Sequence, residues 1–147
     1  MAIPQAGRIL AVDWGERRIG LALSDETQTI ASPLGTLTRR AGKRFRMPEF
    51  LVHVTTHRPV GLVVGLPLTT DGTEGPSTLA ARELAAQLGA RTYLPVELVD
   101  ERMTTARAHA AIQEQGGSAR GRREDVDALA ATILLQHFLE IRRNERP

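Results

Sequence analysis

The stretch RILAVDWGERRIGLALS, residues 8–24, read together with VGLVVGL at 60–66, decides how this chain folds. Arg8 to Val12 is a short apolar strand, and Ile19, Leu21 and Leu23 alternate with smaller residues from Arg18 to Ser24. Asp13-Trp14-Gly15-Glu16-Arg17 reads as the turn between them, so the chain opens as a β-hairpin. A third strand is expected from Ile30 to Leu37, and Pro33, which has no amide to donate, sends it to a sheet edge. Val60 to Leu66 is different in kind. It is a nearly continuous apolar run, the pattern of a strand buried on both faces and reached through a helix, here expected near Pro48 to His57.

Working outward, Pro76 and Ser77 open a second helix, with Leu79, Arg82, Glu83, Ala86 and Gln87 at helical spacing and Gly89 as its stop signal. Thr92 to Val99 reads as the fifth strand. Thr104 or Thr105 caps a short alanine-rich helix stopping at Gly116, Ser118 to Arg123 is a basic linker, and the last helix runs from Glu124 to about Arg143 with Val126, Leu129, Ala130, Ile133 and Leu134 toward the core. The order β-β-β-α-β-α-β-α-α with right-handed crossovers predicts an α/β fold. Its five-stranded mixed sheet has the order 3-2-1-4-5 and is flanked by helices, which resembles the ribonuclease H-like architecture. The 147 residues are expected to form one domain over 1–147, with 144–147 as a disordered tail.

Composition narrows the chemistry. There is no cysteine, so disulfides, thiolate nucleophiles and cysteine zinc sites are excluded. No apolar run reaches about 18 residues and the first seven residues do not form a secretory signal, so a cytoplasmic protein without a membrane partner is expected. Basic residues number 19 against 17 acidic, for a net charge of +2, and all but Lys43 are arginine. Guanidinium forks bind phosphate bidentately, which suits a phosphate-bearing partner.

The acids point to a site. Asp13 closes the first strand and Asp100-Glu101 the fifth, and because those strands are parallel their ends share one sheet edge, where ligands of such sheets bind. Glu124, Asp125 and Asp127 open the last helix, with Glu124 and Asp127 on one face. Acids converging there raise one another's pKa unless a cation neutralises them. Oxygen-only ligands select a hard ion, Mg²⁺ or Mn²⁺, singly or as a pair that activates water and stabilises the leaving oxygen of a phosphodiester. The products would be a 3′-hydroxyl and a 5′-phosphate. Each acid also has an ordinary use as a turn residue or helix cap. The helix after strand five leads about 16 Å away and the linker can return about 24 Å, so the spacing permits Asp127 to reach the site without requiring it.

Four blocks in order then become recognisable. Val12-Asp13-Trp14-Gly15 through Arg18-Ile19-Gly20-Leu21-Ala22 to Ser24-Asp25 resembles the opening motif of the YqgF (RuvX) family of Holliday junction resolvases and pre-16S rRNA nucleases. Val63 to Leu68 with Asp71-Gly72-Thr73, Asp100 to Thr105, and Val126 to Ala131 with Leu134-Leu135-Gln136 resemble its second, third and fourth blocks. The resemblance implies a ribonuclease H-like nuclease with Asp13, Glu101 and Asp127 as its catalytic, metal-binding acids. Asp100, Asp125 and Glu124 stand in reserve. The RuvC resolvases carry their second acid at the fourth strand, where this chain has Gly65-Leu66-Pro67, so Glu101 must substitute.

Around these acids the nucleic-acid contacts expected are Arg17, Arg18, Gly65, Pro67, Gly72, Arg102, Thr104 and Thr105, together with two clusters free of interleaved acids, Arg39, Arg40, Lys43, Arg44 and Arg46, and Arg120, Arg122 and Arg123. The Gly65 to Gly75 loop can bring backbone amides to a phosphate or be an ordinary connection. His53 and His57 have a zinc-compatible i,i+4 spacing but no supporting ligand, and read as surface or core residues. Trp14 reads as core or hinge. With five aromatics in all, recognition should be of backbone and shape. The first reading is therefore a divalent-metal endonuclease processing the 5′ end of pre-16S rRNA in a ribosomal precursor. The alternatives are a homodimeric resolvase of four-way DNA junctions and a non-catalytic RNA-binding assembly factor. A phosphotransferase of the actin and sugar-kinase class, suggested by Asp13-Trp14-Gly15 with Gly20, would need a second such domain.

Overall fold

A computed structural model of the chain describes residues 2–14, 18–38, 45–68, 71–100 and 123–145, of which 123–127 as backbone alone. The elements are β1 (Ile9–Trp14), β2 (Arg18–Ser24), β3 (Ala31–Thr38), α1 (Met47–His57), β4 (Gly61–Leu66), α2 (Pro76–Thr92), β5 (Val96–Asp100) and α3 (Arg123–Glu145). The sheet order is β3-β2-β1-β4-β5, as the sequence pattern requires. β1 pairs antiparallel with β2 and parallel with β4, and β4 pairs parallel with β5. Pro33 sits on β3, the edge strand, beside a register shift between Leu21 and Ala22 of β2, where its missing donor leaves no inner ladder broken.

Strand alternation divides the core. Leu10, Val12, Ile19, Leu21, Leu62 and Val64 face α1 and α2, meeting Phe50, Leu84 and Leu88. Ile9, Ala11, Ala22 and Val63 face α3, meeting Ala131, Leu134, Leu135, Phe138 and Leu139. Burying a Leu or Phe side chain contributes about 1.5–3 kcal/mol, so both layers hold the sheet. Trp14 packs into the first layer, with its ring 6.0 Å from that of Phe45, which meets Phe50 edge-on at 5.3 Å.

Several boundaries differ from the sequence pattern. β1 continues through Asp13 and Trp14, which pair with Gly20 and Ile19, so Asp13 belongs to a strand and not to a turn. α2 passes Gly89 and ends at Thr92, because the Thr92 hydroxyl donates back to the Leu88 carbonyl at 2.6 Å and accepts the Leu94 N–H, with Tyr93 in the left-handed conformation as cap. β5 therefore starts only at Val96. α3 begins at Arg123, within the expected linker; Ala130 and Leu134 are buried as expected, together with Ala128, Ala131, Leu135, Phe138 and Leu139, while Leu129 and Ile133 are half-buried. Asn144 and Glu145, assigned to a tail, are helical. The alanine-rich helix expected after Thr105 and most of the basic linker lie outside the described residues. Among the described residues no helix is long and apolar enough to cross a membrane.

Candidate active site

Asp13 is half-buried near the carboxyl end of β1. Its neighbours two residues apart, Ile9 and Ala11, lie under α3, so alternation puts Asp13 on the α3 face of the sheet. The residues beside it have no side chains. Gly20 is its partner on β2, and on β4 Gly65 follows the Val12–Val64 pair.

The position of α3 follows from one polar side chain. Gln136 accepts the Ala31 N–H through Oε1 at 2.9 Å and donates through Nε2 to the Thr29 carbonyl at 3.1 Å. Ala31 pairs with Ser24, whose hydroxyl accepts the Ile9 N–H at 2.8 Å, so Gln136 is held at the level of Ile9. From that level, nine helical residues back to position 127 rise about 14 Å. Four strand residues forward to Asp13 rise about 13 Å. At the far end of α3 the Arg142 guanidinium donates to the carbonyls of Ile3 and Pro4, ahead of β1, so the helix runs antiparallel to β1. Its amino end, with the positive pole of the helix dipole, thus comes level with Asp13, and position 127 lies one turn before the buried Ala131. The sequence spacing left that approach open.

Asp100 falls elsewhere. It ends β5 opposite Leu66, and while Val99 packs on the α3 side, Val96 and Leu98 pack on the α1 and α2 side, where alternation also assigns Asp100. The reserve ligand Asp100 therefore lies on the opposite face of the sheet from Asp13. Glu101, Arg17, Arg39, Arg40, Lys43, Arg44, Arg102, Thr104, Thr105, Arg120 and Arg122 lie outside the described residues, and Arg123, Glu124, Asp125 and Asp127 occupy the first turns of α3 as backbone. Among the described residues no group of three or more His, Cys, Asp or Glu gathers.

Of the expected phosphate contacts, Arg46 pairs with Glu49 at 3.0 Å across one turn of α1, and Arg18 opens β2 opposite Thr38. Gly65 is buried at the end of β4. Gly72 has φ +87° in a turn whose Asp71 carboxylate accepts the N–H and hydroxyl of Thr73, so local conformation already requires glycine there. Pro67 is held by a residue the sequence reading missed. Buried Thr78 donates its hydroxyl to the Pro67 carbonyl and accepts the Gly75 N–H at 3.1 Å, fastening both ends of the loop to α2. The signal was present as a Thr three residues after a helix N-cap. His53 and His57 stack at 6.1 Å on α1; partial burial, then the neighbouring His57, holds the His53 imidazole below its usual 6.5.

The fold has solved counterparts. Thermus thermophilus RuvC in complex with a Holliday junction substrate superposes with a TM-score of 0.56 at 17% identity, over 93% of this chain and 96% of that one. The yeast mitochondrial Holliday junction resolvase gives 0.53 at 13% identity, over 98% and 85%. Strand order and these neighbours define the fold class, the ribonuclease H-like fold that this chain shares with RuvC. A family model described as RuvX, Holliday junction resolvase, matches residues 7–141. Relatives named "Putative pre-16S rRNA nuclease" include one from Anaeromyxobacter sp. (strain Fw109-5), 44% identical over 90% of this chain and 96% of its own length. Another, from Roseiflexus sp. (strain RS-1), is 38% identical over 95% and 98%. The chain belongs to the RuvX family, and its activity class is that of a hydrolytic nuclease.

Proposed function

We propose that this protein is a divalent-metal-dependent endonuclease of structured nucleic acid, that Asp13, Glu101 and Asp127 hold one or two Mg²⁺ or Mn²⁺ ions, and that its substrate is the 5′ end of pre-16S rRNA. The observation that carries the reading is the level shared by Asp13 and the amino end of α3, set by Gln136. The donor set fits a hard cation: Asp13 is a carboxylate beside two glycines, and the chain has no cysteine to recruit a softer metal. Such ions, when bound, polarise the scissile phosphate and lower the pKa of water. The protein's part is to hold the acids. Asp13 is fixed by its pairing with Gly20, and α3 brings its first-turn N–H groups to the same edge, where they favour a phosphate. Glu101 follows Asp100 in sequence, directly after the end of β5, and its place in the proposed site rests on the resemblance of the Asp100 to Thr105 block to the family's third block. The relatives' names favour the ribosomal precursor, and with it a cytoplasmic site of action.

The family description supports a second reading, symmetric cleavage of four-way DNA junctions by a homodimer. One experiment separates them: wild type and Asp13→Asn with Mn²⁺ or Mg²⁺ on labelled four-way junctions and on 16S RNA with an extended 5′ leader. Site-selective RNA cuts lost in the mutant establish rRNA processing, and paired junction cuts lost in the mutant establish a resolvase. Binding without cleavage overturns both and leaves an RNA-binding assembly factor.

A further inference from the structure

At the sheet edge opposite Asp13, where β1 and β4 begin, the surface sinks into an open pocket of about 690 Å³ whose lining includes Gly7, Arg8, Glu26, Thr56, His57 and Arg58. Five strand residues, roughly 17 Å, separate Arg8 from Asp13. Neither the Arg8 nor the Arg58 guanidinium makes an ion pair or side-chain hydrogen bond with any described residue, and Glu26, on the same wall, pairs with neither. Both arginines stand on a fixed frame. The Val60 N–H donates to the Arg8 carbonyl at 2.7 Å, and the Arg58 N–H closes α1 on the Val54 carbonyl at 2.9 Å. Gly7 has φ +112°, and a Cβ there would come within 2.4 Å of Val60, so the bare glycine is what lets the two segments close.

Arg58 carries the argument. It ends α1 in the left-handed conformation, φ 48° and ψ 57°, a position that glycine fills without strain. Ending the helix does not need a guanidinium, since Tyr93 ends α2 in the same conformation, so the charge of Arg58 beside the pocket is what calls for a partner. Two arginines lining one concavity can offer guanidinium forks to the oxygens of a phosphate, and the volume lies in the range of small-molecule sites, roughly 300–1,000 Å³, with room for more than a bare ion. We propose that this pocket binds a phosphate ester of nucleotide size through Arg8 and Arg58, apart from the nuclease edge. The ester belongs to a free nucleotide or to a nucleic-acid strand, two sources of one chemistry. The structural alternative is that the arginines only offset the negative pole of α1.

The test titrates the full-length protein in EDTA, first with GMP and UMP and then with a 5′-phosphorylated tetraribonucleotide, following the backbone amides of Gly7, Glu26 and Arg58 by NMR. Saturable shifts are expected, with affinity at least about tenfold weaker in Arg58→Gly and Arg8→Gln. Arg58→Gly should melt no lower than wild type, because it relieves the left-handed backbone, so loss of binding cannot be assigned to unfolding. Asp13→Asn should bind as wild type, which keeps this site independent of the nuclease reading. Binding of mononucleotides identifies the source as a free nucleotide, and binding of the tetranucleotide alone identifies a strand. Absence of saturable shifts with every probe, or an Arg58→Gly affinity within about twofold of wild type, overturns the proposal.

Discussion

Gln136 of α3 accepts the N–H of Ala31 at 2.9 Å, a contact spanning 105 residues of sequence that fixes how far the last helix slides along the sheet. Its amide also donates to the Thr29 carbonyl, so one side chain supplies both the acceptor and the donor this strand entry needs. Gln136→Ala removes both bonds and should cost about 1–2 kcal/mol, seen as a lower urea midpoint at unchanged m-value. Because the same contact sets the level of position 127 against Asp13, Mn²⁺ affinity should fall with it. A variant that is less stable yet binds Mn²⁺ as wild type does would detach the helix position from the metal site.

The alternation of β5 separates Asp100 from Asp13. Asp100→Asn should leave metal-dependent cleavage within a few-fold of wild type, since alternation assigns it to the face turned away from Asp13. Glu101→Gln should reduce cleavage by about a hundredfold or more, a loss of nearly 3 kcal/mol of transition-state stabilisation. Single-turnover rates at saturating Mn²⁺ decide it, and the reverse order would assign the site to the other face.

Arg39, Arg40 and Arg44 lie in a stretch with no acids, and each phosphate contact adds about 0.9 to the slope of log affinity against log salt on duplex DNA and about 0.7 on single strands. Replacing all three by Gln should flatten the slope by roughly 2–3 and weaken binding without shifting the cleavage position. An unchanged slope removes them from the footprint.

Much of this fold is written locally. The 60–66 run and the alternation after Arg18 are patterns of adjacent residues, and they suffice for the strand order. What local pattern does not carry is the long-range polar pairing that sets heights: Gln136 with Ala31, Thr78 with Pro67, and buried Gln28, whose amide donates to the carbonyls of Pro4 and Gly7. Gly89 misleads for a related reason. It reads as a stop, but the threonine at 92 finds the Leu88 carbonyl and carries the helix another three residues. The acids of the candidate site were legible as types, and alternation on a known strand then separates Asp13 from Asp100.

Thr78 bridges the two ends of the loop that follows β4, and it is buried. Thr78→Val keeps the shape and deletes the hydroxyl, leaving the Pro67 carbonyl and Gly75 N–H without that partner at a cost of about 1–3 kcal/mol. Thr78→Ser keeps both bonds and loses one methyl, about 1 kcal/mol. If the loop positions substrate, Thr78→Val should raise KM more than it lowers kcat, and Thr78→Ser should restore KM. Equal KM in all three proteins would make the loop a connection only.

Asp25, in the opening motif, is a turn residue with a measurable acid signature. Its carboxylate accepts the Thr27 hydroxyl at 2.6 Å and the N–H groups of Thr29 and Ile30 at 2.7 and 3.0 Å, and these bonds, that of Thr27 foremost, hold it below its usual 3.8. A carboxyl whose pKa is lower folded than unfolded binds fewer protons when folded, so its stabilisation is present above about pH 3.8 and is lost as pH falls through the folded value. Asp25→Asn cannot titrate. The gap between wild-type and Asp25→Asn urea midpoints should therefore be constant from about pH 7 to about pH 5 and narrow below about pH 3.8. A gap that stays constant to about pH 2.5 would show that the carboxylate's charge adds nothing to the turn, and that any difference between the proteins comes from the neutral hydrogen bonds alone.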